Sequence, residues 1–279
     1  MKMREINMVG GGFQHDVCSS ALNKNNYVTW KKDGTANISV YIDDGLHLPT
    51  NKNKLNFGWI CESSSIIPNI INNITSNIDE YRTKFKYIFT HDRRIVEKSP
   101  DFFKFVLPNA CPWIQNKKIY NKSKNTSIIV SNKNWTSGHK YRLRVLGKYS
   151  NSNIDRFGRG TRNQLPWTIV ENGKEESGKI LGLRDYRFSF CFENDNYDSI
   201  FVEKITDCFA TGTIPIFWGT PSIGEFFNND GIIVFNENSD YSELDEDFYN
   251  SKKYSIEDNL QRCIDLPTSE DYFYKNYIE

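Results

Sequence analysis

Short apolar runs alternate along the chain with stretches in which apolar positions recur every three or four residues, most clearly in the second half. Residues 127–131, Ser-Ile-Ile-Val-Ser, are a β-branched run bounded by polar turn residues, which predicts a buried strand. Within 138–149, Tyr141, Val145, Leu146 and Tyr149 fall at i, i+4, i+5 and i+8, one face of an amphipathic helix. Residues 153–157, before Gly158, predict another strand, 174–183 a helix, and 187–193 a strand. Phe201, Ile205, Cys208 and Phe209 then share a helical face ended by Gly212, and strands at 213–218 and 231–235 flank a short helix near 222–227. Repeated strand, helix, strand units with buried strands imply an α/β fold with a parallel, doubly wound sheet.

The first half follows the same grammar less regularly. Residues 6–9 before Gly10-Gly11-Gly12, then 38–42, 57–61 and 87–90, predict strands, and 66–78 predicts a helix, so a second α/β domain is expected. The polar stretch 117–126, rich in Lys and Asn, is the expected linker. The boundary is placed near 126, dividing the chain into 1–126 and 127–279.

A length of 279 residues with 38% apolar and 14% aromatic content is ample for two cores and excludes intrinsic disorder. No apolar run of about 18 residues occurs, and the N-terminus turns polar before a signal core could form, which disfavours membrane spanning and export. Six cysteines without a CxxC pair or clustered His indicate neither a zinc site nor a disulfide framework and fit a reducing cytoplasm. The five Asn-x-Ser/Thr sequons, starting at Asn37, Asn73, Asn121, Asn125 and Asn134, read as chance matches among 31 asparagines. That asparagine count, with 29 Ile, 23 Lys and only 4 Ala, is the skew of an AT-rich coding sequence, as in a virus, phage or AT-rich microbe.

Net charge is zero but segregated. Residues 133–162 hold eight Lys/Arg against one acidic residue, and 236–279 hold four against twelve. A basic stretch inside a folded domain suits a phosphorylated ligand or nucleic acid, and the acidic tail reads as a solvated face.

The strongest chemical signal is Phe190-Cys191-Phe192-Glu193-Asn194, followed by Glu203-Lys204-Ile205 and by the segment Thr213-Ile214-Pro215-Ile216-Phe217-Trp218-Gly219. A strand ending at Asn194 and a helix opening near Ser199 put Glu203 and Lys204 at the carboxyl edge of the sheet, where open α/β sheets bind ligands. A helix N-terminus there offers N–H groups and positive partial charge to a diphosphate. Lys204 adds a full charge for a leaving group, and Glu203 suits sugar or ribose hydroxyls.

These residues resemble the signature of the α-1,3/4-fucosyltransferases, glycosyltransferase family 10. The resemblance runs from about residue 62 to 235 and is densest over 188–219. It implies a GT-B architecture, two Rossmann-like domains facing across a cleft, with the donor GDP-fucose in the C-terminal domain. It also implies a glycan acceptor, inversion at the anomeric carbon, no cofactor beyond the donor and no metal for the displacement. By the same resemblance Asn194, Glu203 and Lys204 match donor-binding positions, and Arg142 matches an arginine for the donor diphosphate, with Arg144 and Lys140 as neighbours in register. Ile200 stands where some members have an aromatic residue. Glu62, at the end of the strand predicted at 57–61, corresponds to the general base.

Each residue has an ordinary structural reading as well. Glu62 fits a surface carboxylate at a strand end, Glu203 and Lys204 a solvated helix face, and Arg142 the polar side of an amphipathic helix. Asp245-Glu246-Asp247 resembles an acidic metal motif but lies in the acidic tail. Asp43-Asp44 and Thr90-His91-Asp92 end predicted strands, where they either line the cleft or cap and pack. Gly10-Gly11-Gly12 lacks the GxGxxG and P-loop spacings and suits a tight turn or room for an acceptor. Three rival functions stay open: a transferase using another nucleotide sugar, a nucleic-acid-binding protein using 133–162, and a non-catalytic glycan-binding relative.

Overall fold

A computed structural model describes residues 3–11, 17–149 and 153–279; Gly12 of the glycine triplet lies outside these. Two compact units are present. One comprises the chain up to Asn109 together with Asp198–Ile200 and Pro267–Glu279, and the other comprises Ala110–Tyr197 and Phe201–Leu266.

In the first unit six parallel strands are ordered β2-β1-β3-β4-β5-β6: β1 (Arg4–Val9), β2 (Val28–Lys31), β3 (Ile38–Ile42), β4 (Leu55–Ile60), β5 (Ile88–Thr90) and β6 (Phe103–Phe105). Successive side chains of a strand point to opposite faces, so β3 sends Ile38, Val40 and Ile42 into one core layer and Tyr41 into the other. The helices α1 (Pro68–Ser76) and α2 (Ile78–Lys84) cover the second layer with Ile71, Ile74 and Tyr81, and α3 (Arg93–Val96) adds Ile95. Gly10 takes φ +97°, and a Cβ there would lie 2.6 Å from the Ile42 carbonyl oxygen. A tight turn at the end of β1 therefore requires glycine.

The second unit holds a five-stranded parallel sheet ordered β13-β12-β11-β7-β8. Its strands are β7 (Lys124–Ile129), β8 (Ile154–Phe157), β11 (Tyr186–Phe192), β12 (Ile214–Trp218) and β13 (Ile233–Val234). The helix α4 (Ser137–Lys148) packs Val145 onto the face formed by Ile128, Phe188, Phe190 and Phe192, whereas α5 (Glu203–Thr211) packs Ile205 and Phe209 onto the opposite face with Cys191 and Phe217. Burial of each such phenylalanine is worth about 1.5–3 kcal/mol relative to exposure. Both units are thus Rossmann-like, with a parallel sheet between helical layers.

Three expectations are corrected. Residues 174–183 are not a helix: β9 (Thr168–Glu171) and β10 (Lys174–Ser177) form an antiparallel hairpin, and a 3-10 turn follows at Gly178–Gly182. The two-residue loop Asn172-Gly173 has φ +51° and +75°, the type I′ geometry that Asn-Gly favours. Second, the chain divides at Asn109/Ala110 rather than near 126. The polar stretch is fastened to the second unit, since the N–H groups of Lys118 and Tyr120 bond the carbonyls of Ala210 and Thr211, and buried Lys122 donates through Nζ to Thr211 O (2.8 Å) and Thr213 Oγ1 (2.9 Å).

Third, the acidic C-terminal region is not simply a solvated face. It forms α6 (Glu246–Ser251), α7 (Lys253–Asp265) and α8 (Ser269–Phe273), and its last part returns to the first unit. There buried Glu270 accepts from Ser19 N–H, Ser19 Oγ and Trp30 Nε1, and Asp271 accepts from the N–H groups of Asn26 and Tyr27. Phe273 stacks on Phe89 in the core. Asp245 caps α6 through Phe248 N–H (2.8 Å), a structural role.

Candidate functional site

Strands β7 and β11 are neighbours, yet the chain leaves them in opposite directions. From β7 it passes through α4 to β8, and from β11 through α5 to β12, with the two helices on opposite faces of the sheet. Such a switch point opens a crevice beyond the carboxyl ends of the two strands, with both helix N-termini at its edge. Thr136 caps α4 in a reciprocal box with His139: His139 N–H donates to Thr136 Oγ1 (3.1 Å), and Thr136 N–H donates to His139 Nδ1 (3.3 Å). Gly138 lets the first turn press against the end of β11, where a Cβ would lie 2.3 Å from Glu193 O. No side chain caps α5.

Four charged or polar side chains converge at this edge. Lys204 Nζ donates to Glu193 Oε2 (2.6 Å), and the other Glu193 oxygen accepts Val202 N–H (3.0 Å). Glu193 is buried, so it ties the loop 194–202 closed and aims Lys204. Asn194, half-buried, accepts Gly138 N–H through its backbone carbonyl and lies beside the His139 side chain. Arg142 is buried, and its Nη2 donates to Ser131 Oγ (2.8 Å) and Ser131 O (3.1 Å). Its Nε has no partner. Burial first, then the charges of Arg142, Lys204 and Lys133, pull the His139 pKa down to about 4. The imidazole is therefore neutral at physiological pH in a positive field.

Of the two residues near Arg142 in register, Arg144 is exposed and pairs with Glu237, and Lys140 is exposed. Much of the basic stretch is engaged internally, since Arg156 donates to the carbonyls of Leu146 and Tyr149 and Lys148 donates to Glu237 O. This disfavours a free basic stripe for nucleic acid.

Glu203, at the start of α5, is paired with Lys179 Nζ (2.7 Å), which also contacts Asp207 Oδ2 (2.9 Å). Burial would raise the Glu203 carboxyl, but Lys179 and Lys204 outweigh it and hold the group below its usual range. Ile200 is buried, 4% exposed.

In the first unit Glu62 follows β4. Asp43, beyond β3, is buried at φ +46° and accepts the N–H groups of Cys61 (2.8 Å) and Glu62 (3.3 Å) through Oδ1. A non-glycine residue in this region is strained and persists only when its surroundings enforce it. Burial pushes Asp43 up to about 7, against the two backbone donors and with a contribution from Glu62. Asp44 accepts Gly11 N–H (2.9 Å), and buried Asp92 caps α3 through Arg94 N–H (3.0 Å). His91 is buried as well. Sequence alone singles out neither His139 nor Lys179, includes Glu193 only within the motif, and offers Asp43 as a strand-end residue that lines the cleft or caps. Glu193 sits beside Asn194 in the motif, but Lys179 lies 24 residues before its partner.

A family model described as glycosyltransferase family 10 (fucosyltransferase), C-terminal, matches residues 119–254. The chain resembles that family. The matched stretch contains Arg142, Asn194, Glu203 and Lys204 and does not reach Glu62. The α-(1,3)-fucosyltransferase FucT of Helicobacter pylori is 27% identical over 187 residues, 65% of this chain and 36% of that protein, so the match spans about a third of the curated relative's length. A crystal structure of an α1,3-fucosyltransferase superposes with a TM-score of 0.50 at 17% identity, covering 95% of this chain and 81% of the other. A second crystal structure, of an α1,3-fucosyltransferase with GDP, gives 0.50 and 17%, with 95% and 82% covered. The shared fold is GT-B, composed of two Rossmann-like units. Among the described residues no group of three or more His, Cys, Asp or Glu is placed to hold a metal ion, and no helix is long and apolar enough to cross a membrane.

Proposed function

We propose that the chain is an inverting, α-1,3-fucosyltransferase-like glycosyltransferase that moves fucose from GDP-fucose to a hydroxyl of a glycan acceptor. One observation carries the reading: Lys204, Arg142 and Asn194 converge where β7 and β11 part, within the stretch that resembles family 10. A nucleoside diphosphate needs positive charge and N–H donors, and the uncapped start of α5 with these cations supplies both. Lys204 spends one of its three N–H donors on Glu193, which leaves two for phosphate oxygens. Glu203 takes sugar or ribose hydroxyls.

In the reaction the acceptor oxygen bonds the anomeric carbon as the carbon–oxygen bond to the diphosphate breaks. The bonding pair leaves with GDP, and the acceptor proton passes to a base. Glu62 is the base in this reading, held by the Asp43 bonds to the 61–62 backbone. Lys204 and Arg142 offset the charge on the leaving diphosphate, so the displacement runs without a metal ion. Among the described residues none of the six cysteines forms a disulfide, which supports a reducing, cytoplasmic setting.

A thermal-shift panel of nucleoside diphosphates tests the reading. A ligand at a hundred times its Kd stabilises by about 2.7 kcal/mol, and GDP is expected to raise Tm above UDP, ADP and CDP. Stabilisation by UDP alone would replace the donor, and no response to any nucleotide would overturn the assignment.

A further inference from the structure

Lys179 is held between Glu203 and Asp207. Its side chain is 20% exposed, that of Glu203 15% and that of Asp207 1%, so the three charges share a largely dry site. The ammonium lies over the Trp113 ring, 3.9 Å from the centroid, a favourable cation–π placement. Asp207 is committed elsewhere, because its Oδ1 accepts the N–H groups of Trp113 (2.7 Å) and Ile114 (3.1 Å). The Lys179 backbone is set by the turn after the β9–β10 hairpin, where Ser177 caps it.

We propose that Lys179 is a positioning residue for the nucleoside diphosphate: it occupies Glu203 Oε1 and keeps the carboxylate charged and oriented, leaving the second oxygen for the ribose hydroxyls. The proposal rests on the reading of Glu203 as a ribose ligand. Charge distribution in the cluster agrees with it. Burial raises Asp207 to about 6 despite Lys179, whereas Glu203 is held below its usual range by Lys179 and Lys204 together. The lysine thus keeps ionised the carboxylate that opens α5. A neutral carboxyl would accept hydrogen bonds more weakly, since bonds to ionised acceptors are roughly twice as strong.

The test compares GDP with 2′-deoxy-GDP by calorimetric titration of the parent chain, Lys179→Met and Lys179→Arg. A charge-assisted ribose contact gives the parent about a tenfold or greater preference for GDP. Lys179→Met is expected to bring that ratio close to one, while Lys179→Arg, which retains the charge, keeps a preference. Circular dichroism reports folding, and if Lys179→Met does not fold, Lys179→Met/Asp207→Asn removes the second buried carboxylate and is titrated instead. A parent-like ratio in the folded Met variant would overturn the proposal. Loss of the ratio in folded Lys179→Arg as well would assign the effect to packing and overturn the charge-based claim. Equal binding of the two nucleotides by the parent would overturn the Glu203 reading itself, and the role of Lys179 with it.

Discussion

Replacing Lys204 by alanine does two separable things. It removes a cation from the proposed diphosphate site, and it strands Glu193, whose carboxylate is 1% exposed and loses its 2.6 Å partner. Breaking a fully buried pair costs about 3–5 kcal/mol. Lys204 is 25% exposed, so water can enter the vacated space, and Glu193 keeps the Val202 N–H; a loss of about 2–3 kcal/mol follows. At about 2–4 °C per kcal/mol for a protein of this size, Tm falls by roughly 4–12 °C. Loss of the diphosphate contact costs about 1.5–3 kcal/mol of binding, roughly a 10- to 150-fold rise in the Kd for GDP. The double variant Lys204→Ala/Glu193→Gln separates the two effects. Its glutamine oxygen still accepts Val202 N–H and no charge is left buried, so scanning calorimetry should show most of the lost Tm restored. Calorimetric titration should still find GDP bound weakly. Parent-like GDP affinity in the double variant would remove Lys204 from the donor site and refute the argument.

Three further outcomes are expected. Glu62→Gln keeps the size of the side chain but cannot take the acceptor proton, so kcat should fall by about 10²–10⁴-fold with GDP affinity unchanged; turnover at the parent rate would move the base to His91 or Asp92. Transfer from GDP-fucose should survive EDTA, and activity abolished by the chelator and restored by manganese would contradict a displacement driven by Lys204 and Arg142. Asp43 is raised to about 7 by burial, so the folded state holds its proton where the unfolded chain, near 3.9, has lost it. Its contribution to stability is therefore full below about pH 4 and is lost as pH rises to about 7, at up to ~1.4 kcal/mol per pH unit. Asp43→Asn tolerates the positive φ and still accepts both N–H groups, so its Tm should drop less between pH 5 and 8 than that of the parent; parallel profiles would show that Asp43 does not titrate there.

Local order was legible along the chain because strands and helices write their periods directly into side-chain polarity. The runs at 127–131 and 187–193 became β7 and β11, whereas the helix expected to open near Ser199 begins only at Glu203, because Ser199 takes φ +63° and the chain stays irregular up to Val202. The Asn172-Gly173 pair marks the hairpin turn locally, whereas 174–177, Lys-Glu-Glu-Ser, carries no apolar residue from which a strand period could be read. The resemblance to family 10 also rested on local spacing, which is why it was visible before any contact was known.

Which distant residues meet is a different matter. Lys179 reaches Glu203 and Asp207 across 24 and 28 positions, Glu193 takes Lys204 across 11, and Asp43 takes the backbone of 61 and 62 across 18 and 19. The return of Pro267–Glu279 to the first unit joins Glu270 to Ser19 across 251 positions. A buried carboxylate has to find a cation or N–H donor, but nothing in its own neighbourhood of the chain says which one. Strand order decides that, because the sheet brings the ends of β3 and β4, or of β7 and β11, side by side whatever their separation in sequence. Local periodicity could determine that a helix follows the strand ending near Asn194, and only the tertiary structure could decide which charges surround its start.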